Sequence, residues 1–458
     1  MPGSYTSPTG LKGLFKKEAK RRELTKYPVG RYRIFLLAVV VFANIIASYE
    51  GNLAPIVPML LEELNITAAI YGQLNVIPII VTALVSLFVG VYADRWGRSI
   101  IVLMGVFLTA IFIFLLAGIT TIQGFLIIKI LLGIVDGLAF APIAGLVRDF
   151  SPQMGRGVAY AFWTLGPVGG PFIANFIASW TLPIFGTWQS QLYIMGTICV
   201  MFWIVILVCL RDLSPELRSK IYVSEPKEGE AAEKHQDKGE SISQKTGLKG
   251  IFSHPVIWIQ PIGIVIFLPI YFTMIVYGPL FFTEVYNVTT AEGSKFTMYY
   301  WLGTFIGLFL AGGISDRIGL RKICTLVGAL SAIIFNPIWI IWGMSASTNL
   351  GLVGVFSFLA GFTGAAAYSP WMAMYSENLE SVNPNIQATG WGFYGLVTRL
   401  AALLVALLAP VVVETTGSWK SWFMIAEIGM ICYLIFPFLA IGQLFPTKVS
   451  VPPAEKAQ

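Results

Sequence analysis

The sequence predicts an all-α membrane protein in which twelve transmembrane helices form two pseudo-symmetric six-helix bundles. Of its 458 residues, 56% are hydrophobic and 12% are charged, too little charge for a water-facing surface of this size. The apolar residues fall in runs of about 20, long enough to cross a hydrocarbon core of about 30 Å as helices. Backbone groups in lipid must be satisfied internally, so these runs are expected to be helical.

A charged turn that occurs twice predicts the two halves. Gly90–Arg98 reads GVYADRWGR, and Gly312–Gly319 reads GGISDRIG. The two aspartates, Asp94 and Asp316, are 222 residues apart, which is close to half of the chain. A repeat at this period indicates two similar structural units.

The apolar runs define twelve spans. The first six cover residues 34–60, 70–91, 100–118, 122–147, 156–180 and 190–210, and the second six cover 257–284, 294–314, 322–344, 350–375, 386–413 and 420–444. They divide the chain into a basic tail (1–33), a first bundle (34–210), a linker (211–254), a second bundle (255–445) and a second tail (446–458). The middle of the linker is almost wholly polar, so it is expected to be disordered.

The charges of the loops predict the orientation in the membrane. Basic residues gather in alternate loops and in the first tail, and among them are Arg95, Arg98, Arg148, Arg156, Arg317, Arg321 and Lys322. The opposite loops are mainly acidic. By the positive-inside rule, both termini are expected in the cytoplasm, with the protein in the plasma (inner) membrane.

Several classes of chemistry are not expected. The four cysteines lie in or at the ends of apolar runs without metal-ligand spacing, and both histidines, His235 and His254, lie in the linker. The sequence has no phosphate-binding loop of the Walker type and no nucleophile–base pair. We therefore expect no metal, no cofactor and no enzymatic activity. The net charge of +6 is explained by topology rather than by nucleic-acid binding.

The charged turn resembles the loop signature of the major facilitator superfamily. Gly90, Asp94, Arg95, Gly97 and Arg98 match that signature, whereas Tyr92 replaces the usual Leu and Ser99 replaces the second basic residue. The second copy supplies Asp316, Arg317 and Arg321. The resemblance implies a secondary transporter that works by alternating access between its two halves.

The resemblance also implies a conformational latch in each half. A second alignment of the halves, offset by 228 residues, places Asp149 on Glu377. We expect Asp149 near Arg95 or Arg98, and Glu377 near Arg317 or Arg321. The full set of latch residues is Asp94, Arg95, Arg98, Asp149, Asp316, Arg317, Arg321 and Glu377.

Charged residues inside the spans are the main candidates for chemistry, because a charge in lipid is costly. Glu50 lies in span 1, Lys129 and Asp136 lie seven residues apart in span 4, and Arg399 lies in span 11. We expect Glu50 and Asp136 to carry protons, with Glu50 preferred for its depth beside Lys129. Lys129 and Arg399 are expected to bind substrate. The alternative is that these charges form structural ion pairs, and Glu427 in span 12 is expected to be structural.

Aromatic and amide residues near mid-span are further candidates for substrate binding. They are Tyr49, Asn52, Trp163, Tyr368, Trp391 and Tyr394. Span 5 holds Gly166, Pro167, Gly169, Gly170 and Pro171. This cluster is similar to a motif of the antiporter branch of the superfamily, and its alternative interpretation is a packing seam and hinge.

The expected function is proton-coupled secondary active transport of a small organic solute, taken to be an organic anion because of the mixed charges. One alternative is a proton-driven antiporter that exports amphipathic compounds or drugs, and a remote one is a non-transporting membrane receptor. The expected partners are the solute, protons and the lipid bilayer, without nucleic acid, and the protein is expected to function as a monomer.

Overall fold

A computed structural model describes residues 22–51, 53–150, 156–214, 217, 247–382, 387–441 and 444. Within the described helices, the side chains of 48–51, 87–88, 90–96, 140–141, 144, 148, 156–161, 163, 247–249, 380 and 387–389 are outside the description. Most of both predicted tails and of the linker, with Asn52, therefore lie outside the described residues. The described chain is almost entirely helical, as the apolar runs predict.

Six membrane helices form the first half. They are α1 (Gly30–Gly51), α2 (Val76–Trp96), α3 (Arg98–Ala117), α4 (Ile122–Phe150), α5 (Arg156–Phe185) and α6 (Trp188–Cys209). Short helices at Val57–Leu64 and Ala68–Leu74 follow α1 and precede α2. Span 1 is therefore interrupted rather than continuous to residue 60. Pro55 and Pro58 lack the amide hydrogen that an unbroken helix would need there.

The second half consists of α7a (Pro255–Phe267), α7b (Pro269–Tyr286), α8 (Thr290–Ile318), α9 (Arg321–Ile338), α10 (Leu350–Val382), α11 (Gln387–Thr416) and α12 (Trp419–Tyr433). A π-helical turn, Trp339–Gly343, extends α9. The α7a–α7b pair bends by 40° at Leu268, just before Pro269. Counted as one span, this pair brings the described helices that could cross a membrane to twelve.

Equivalent helices pair in the two halves. In the first half α1 packs on α5, α2 on α4, and α3 on α6. In the second half α7b packs on α11, α8 on α10, and α9 on α12. These pairs correspond one to one under the sequence repeat, so the repeated turn reflects a repeated set of helix contacts.

A glutamate–tryptophan hydrogen bond also recurs in both halves. At the ends of the helices opposite the charged turns, the indole N–H of Trp188 donates to the carboxylate of Glu63. In the second half, the indole N–H of Trp419 donates to Glu284 at 2.6 Å. Each bond ties the first span of its half to the last one.

Two short parallel strands join the start of the linker to the first tail. β1 (Glu23–Leu24) pairs with β2 (Asp212–Leu213). The buried carboxylate of Asp212 accepts a hydrogen bond from the backbone N–H of Ser99 at 3.3 Å, at the beginning of α3. The expectation of a disordered linker therefore does not hold for Asp212 and Leu213, because this carboxylate caps a helix and the leucine is buried.

Candidate functional site

The ends of the helices that carry the charged turns are called the inner ends, and the opposite ends the outer ends. At the outer ends the two halves touch. Within the second half, the hydroxyl of Tyr277 on α7b donates to the backbone carbonyl of Ala406 on α11 at 2.7 Å. Gly72 of the first half packs so closely on Ala406 that a Cβ atom would overlap this same carbonyl oxygen. Gly72, Tyr277 and Ala406 are called the outer gate, where the two halves are in contact.

Neighbouring contacts support the outer gate. The rings of Tyr71 and Tyr277 meet edge to face, with centroids 6.2 Å apart. The backbone N–H of Ala69 donates to the carboxylate of Glu414 at 3.3 Å. Residues more than 200 positions apart thus meet at one end of the protein. The helix α5 of the first half also lies along α8 of the second half.

Three charged residues face one another between the halves and form the charged cluster: Lys129, Asp136 and Arg399. Lys129 and Asp136 lie on α4, two turns apart, and Arg399 lies on α11. Both basic side chains interact electrostatically with the carboxylate of Asp136. Since Arg399 belongs to the other half, Asp136 faces the space between α4 and α11, and its side chain is accessible there.

The geometry bears on the expected alternative of structural ion pairs. The electrostatic interaction of Asp136 with both bases is compatible with structural ion pairs and with a binding site for an anion. At about 1.5 Å of rise per residue, Lys129 and Asp136 present charges of opposite sign about 10 Å apart along α4.

Aromatic side chains of α10 and α11 pack against one another. The hydroxyls of Tyr368 and Tyr394 are hydrogen-bonded to each other. The ring of Trp371 lies 5.4 Å from Tyr394, and the ring of Trp391 lies 5.5 Å from Tyr394. These four residues are called the aromatic wall. Tyr394 precedes Arg399 by five residues on α11, so the aromatic wall and the guanidinium lie along one helix.

A small cavity lies inside the second half and reaches α5 of the first half. Its polar lining comes from Tyr271, Tyr300, Thr304, Asn336 and Tyr368, and Val168 of α5 closes one side. Tyr368 is the predicted substrate residue that lines this cavity. Sequence reasoning missed Tyr271 and Thr304. Both residues could have been identified from the sequence as hydroxyl groups within otherwise apolar spans.

Several predicted site residues have side chains outside the described part of the chain. The side chains of Tyr49, Glu50, Asp94, Arg95 and Trp163 lie outside the described residues, as does all of Asn52. The expected meeting of Glu50 with Lys129 therefore stays a prediction, as does the role of Trp163 in binding.

The expected proximities at the inner ends are confirmed. Arg98 Nη1 lies 3.0 Å from Asp149 Oδ2, and this aspartate is 1% exposed. In the second half, Arg321 Nε lies 3.1 Å from Glu377 Oε1, and Arg321 Nη1 lies 2.6 Å from Asp316 Oδ1. Arg317 is exposed. Each cluster ties the charged turn of its half to the inner end of α4 or α10, and their role as latches stays a prediction.

The two clusters differ in burial, which predicts different effects on stability. Asp149→Asn removes the charge of a buried carboxylate that pairs with the partly buried guanidinium of Arg98, and breaking a buried pair costs about 3–5 kcal/mol. Glu377→Gln acts on a carboxylate that is 40% exposed, where a pair contributes about 0–1 kcal/mol. We expect Asp149→Asn to lower the midpoint of thermal unfolding clearly and Glu377→Gln to lower it slightly, measured by tryptophan fluorescence in detergent. Equal shifts, or the reverse order, would contradict this account of the clusters.

The glycine–proline cluster lies in an unbroken stretch of α5. A Cβ atom on Gly166 would overlap the side chain of Asn44 on α1, and one on Gly169 would lie 3.4 Å from Ile45. Gly170 and Pro171 are buried in the same helix, and Pro167 is partly buried. Close packing of α1 on α5 thus accounts for Gly166 and Gly169, and a hinge at this cluster stays a prediction.

Comparisons with known proteins give the family. The model of the Major Facilitator Superfamily matches residues 34–381 and 293–458. The chain is 25% identical over 362 residues to the membrane sensor protein UhpC of Escherichia coli (strain K12), covering 78% of this chain and 80% of that protein. It is 23% identical over 434 residues to a probable hexose phosphate transport protein of Chlamydia trachomatis, covering 86% and 93%.

The fold is also found among solved structures. The nucleoside transporter NupG superposes with a TM-score of 0.65 at 13% identity, over 89% of this chain and 100% of that chain. At this identity the likeness concerns the fold alone. The family match across the chain, the apolar helices and the repeated charged turn agree. The protein is a multi-pass membrane protein that belongs to the major facilitator superfamily.

Proposed function

We propose that the protein is a proton-coupled secondary active transporter that carries a small organic anion by alternating access. The observation that carries this proposal is the charged cluster. Asp136 interacts electrostatically with Lys129 on its own helix and with Arg399 on the facing helix of the second half. Two bases and one acid give this cluster a net charge of +1, which attracts an anion.

The same cluster supplies a reason for coupling. When Asp136 binds a proton, the net charge of the three residues rises from +1 to +2, and the attraction for an anion increases. By linkage, a bound anion must favour protonation by the same factor. Proton and anion therefore bind together more readily than either binds alone, which is the requirement for symport. Glu50 is proposed as a second proton carrier, because it is a charged residue within span 1 at a depth similar to that of Lys129.

The substrate class follows from the two bases and the aromatic wall. Arginine and lysine are the side chains that proteins use to bind phosphate and carboxylate groups. Tyr368, Trp391 and Tyr394 would offer flat, partly polar surfaces to the rest of the solute. One relative is named as a probable hexose phosphate transport protein. We propose phosphorylated sugars and sugar acids as the first anions to test.

A binding screen separates the proposed function from its main alternative. Purified protein is heated with a hexose phosphate, with a sugar acid or with a cationic dye, and unfolding is followed by tryptophan fluorescence. The proposal expects stabilisation by an anion that grows as the pH falls, provided the anion keeps its own charge over that range. Stabilisation by the cationic dye alone would favour the exporter of amphipathic compounds.

A non-transporting receptor is the second candidate function, because one relative is named as a membrane sensor protein. A receptor would bind the anion without moving it. Proteoliposomes that contain the purified protein distinguish the two functions. Uptake of the stabilising anion supports transport, whereas binding without uptake supports a receptor.

The outer gate offers a test of alternating access. In Gly72→Ala the new methyl group meets the carbonyl of Ala406, and such overpacking costs about 1–3 kcal/mol. At about 1.4 kcal/mol per tenfold change, the ratio of molecules with a closed outer gate to those with an open one should fall about tenfold. We expect slower initial uptake, together with faster labelling of an Ala68→Cys background by a membrane-impermeant maleimide.

The matched control for Gly72→Ala is Gly313→Ala. Gly313 also lies in a membrane helix, but no atom stands within 4 Å of the position of its added Cβ. This variant should retain uptake and labelling close to those of the parent protein. If Gly72→Ala behaves like Gly313→Ala, closure of the outer gate is not part of the transport cycle.

A further inference from the structure

A buried carboxyl group in α12 has no part in the proposed cycle. Glu427 is 6% exposed, and neither of its carboxylate oxygens has a hydrogen-bond partner among the described residues. An ionised carboxylate removed from water without a partner costs several kcal/mol. A merely structural role, as the sequence suggests, leaves this cost unexplained.

A polar neighbour of Glu427, Asn336, is also buried and also has an atom without a hydrogen-bond partner in the described part of the chain. Asn336 of α9 is 2% exposed, and its Oδ1 atom also lacks a donor among the described residues. Its Nδ2 group donates to the sulfur of Met430 at 3.3 Å. Met430 follows Glu427 by three residues and so lies on the same face of α12. Asn336 is also the side chain placed to hydrogen-bond the Glu427 carboxyl group, although no described contact between the two meets ordinary hydrogen-bond geometry.

The amide orientation does not remove the deficit. If the oxygen and nitrogen of Asn336 exchange places, one carboxylate oxygen of Glu427 gains a donor. The other oxygen still has none, and the negative charge remains unbalanced. In either orientation, a positive charge or a proton is missing from the group.

No base supplies that charge from the helices packed against α12, which are α7a, α7b, α9 and α11. The titratable groups described on these helices are Tyr271, Tyr277, Glu284, Tyr286, Arg321, Lys322, Cys324, Tyr394, Arg399 and Glu414, and α12 itself carries Lys420, Cys432 and Tyr433. None of these groups acts electrostatically on the Glu427 carboxyl group. Its ionisation is affected by burial and by Asn336.

The site borders the cavity of the second half. Asn336 and Met430 line this cavity together with Tyr271 and Tyr300. Asn336 is therefore in contact with the cavity and is also the polar neighbour of Glu427.

We propose that Glu427 and Asn336 form a proton-binding site inside the second half, separate from the charged cluster. The protonated carboxyl group of Glu427 donates to Oδ1 of Asn336, which satisfies both unpartnered groups and cancels the buried charge. The proposal goes beyond the transport mechanism above and does not depend on it, since it would hold even if neither Asp136 nor Glu50 carries protons. Oxygen ligands also suit sodium, so the test must distinguish the two cations.

Infrared spectroscopy of the purified full-length protein tests the proposal directly. At neutral pH the parent protein should show the carbonyl band of a protonated carboxylic acid, and Glu427→Gln should lose that band. Asn336→Leu should shift the band to higher frequency, because the hydrogen bond to Oδ1 is gone. The matched control is Glu62→Gln, an exposed carboxylate whose removal should leave the band unchanged.

Two results would overturn the proposal. The first is a neutral-pH spectrum in which the carboxylic acid bands of the parent protein and of Glu427→Gln are identical. The second is sodium-dependent thermal stabilisation, measured in sodium chloride against choline chloride, that the parent protein shows and Glu427→Gln lacks. The comparison of parent and Glu427→Gln requires only these two proteins, so the test stands even if Asn336→Leu fails to fold.

Discussion

Arg399→Ala is expected to weaken anion binding by about thirtyfold or more, the largest loss of affinity among the single substitutions proposed. Removing one charged partner from a desolvated interaction costs about 2–5 kcal/mol, and about 1.4 kcal/mol corresponds to a factor of ten. The guanidinium is the cation that the second half contributes to the charged cluster, so its loss leaves Lys129 alone opposite Asp136. Thermal stabilisation by a hexose phosphate, measured over a range of concentrations, gives the change in affinity.

Two variants control for the loss of charge at Arg399. Arg399→Lys keeps the charge but loses the planar fork of donors, so it should bind with intermediate affinity. Lys295→Ala removes an exposed basic residue near the start of α8 and should bind like the parent protein. If Arg399→Ala binds the anion within twofold of the parent, the charged cluster is not the anion site.

Neutralising the proton carrier is expected to abolish uphill accumulation while sparing exchange of substrate down its gradient. Asp136→Asn fixes the described cluster at a net charge of +2, whatever the pH. Anion binding should then become independent of pH and remain at least as tight as in the parent at low pH. The carrier can no longer take up a proton, so a proton gradient has nothing to act on. Counterflow of labelled anion measures exchange, and proton-driven uptake measures accumulation.

Glu50→Gln is the parallel variant, since the sequence favours Glu50 by its depth in the membrane. The acid whose neutralisation removes accumulation and leaves exchange is the coupling residue. If each variant alone still concentrates the anion in response to a proton gradient, neither acid is the carrier. Glu62→Gln is a suitable control, because this carboxylate is exposed and belongs neither to the charged cluster nor to the outer gate.

The local features of the fold were readable from the sequence, because helix position in a membrane protein depends on the length of apolar runs. The repeat also predicted that Asp149 would approach Arg95 or Arg98 and that Glu377 would approach Arg317 or Arg321, since equivalent residues of a repeat occupy equivalent places; the partners found are Arg98 and Arg321. The interruption of span 1 was missed, although prolines at positions 55 and 58 signal it. A run of apolar residues indicates a segment that lies in lipid, but it does not indicate where the helix within that segment is interrupted.

The contacts between the two halves could not be predicted from the sequence. Gly72 meets a backbone carbonyl on α11, and a carbonyl group has no signature in the sequence. A structural role was predicted for Glu427, because helix 12 is peripheral in the superfamily. The feature that suggests a proton site is the lack of hydrogen-bond partners for its carboxylate among the described residues. Such a deficit becomes visible once the surrounding helices are in place. Lys129 and Asp136 were found because charges in apolar runs are conspicuous, whereas their relation to Arg399 required the fold.

Anion uptake into proteoliposomes under an imposed pH gradient tests the central claim most directly. The purified protein is reconstituted at equal anion concentration on both sides, and the gradient is then imposed with a valinomycin clamp on the membrane potential. The account predicts that the anion accumulates on the side of higher pH, above its equilibrium level, and that collapse of the gradient releases it. An anion that binds and exchanges, yet distributes equally whether or not the gradient is present, would contradict proton coupling.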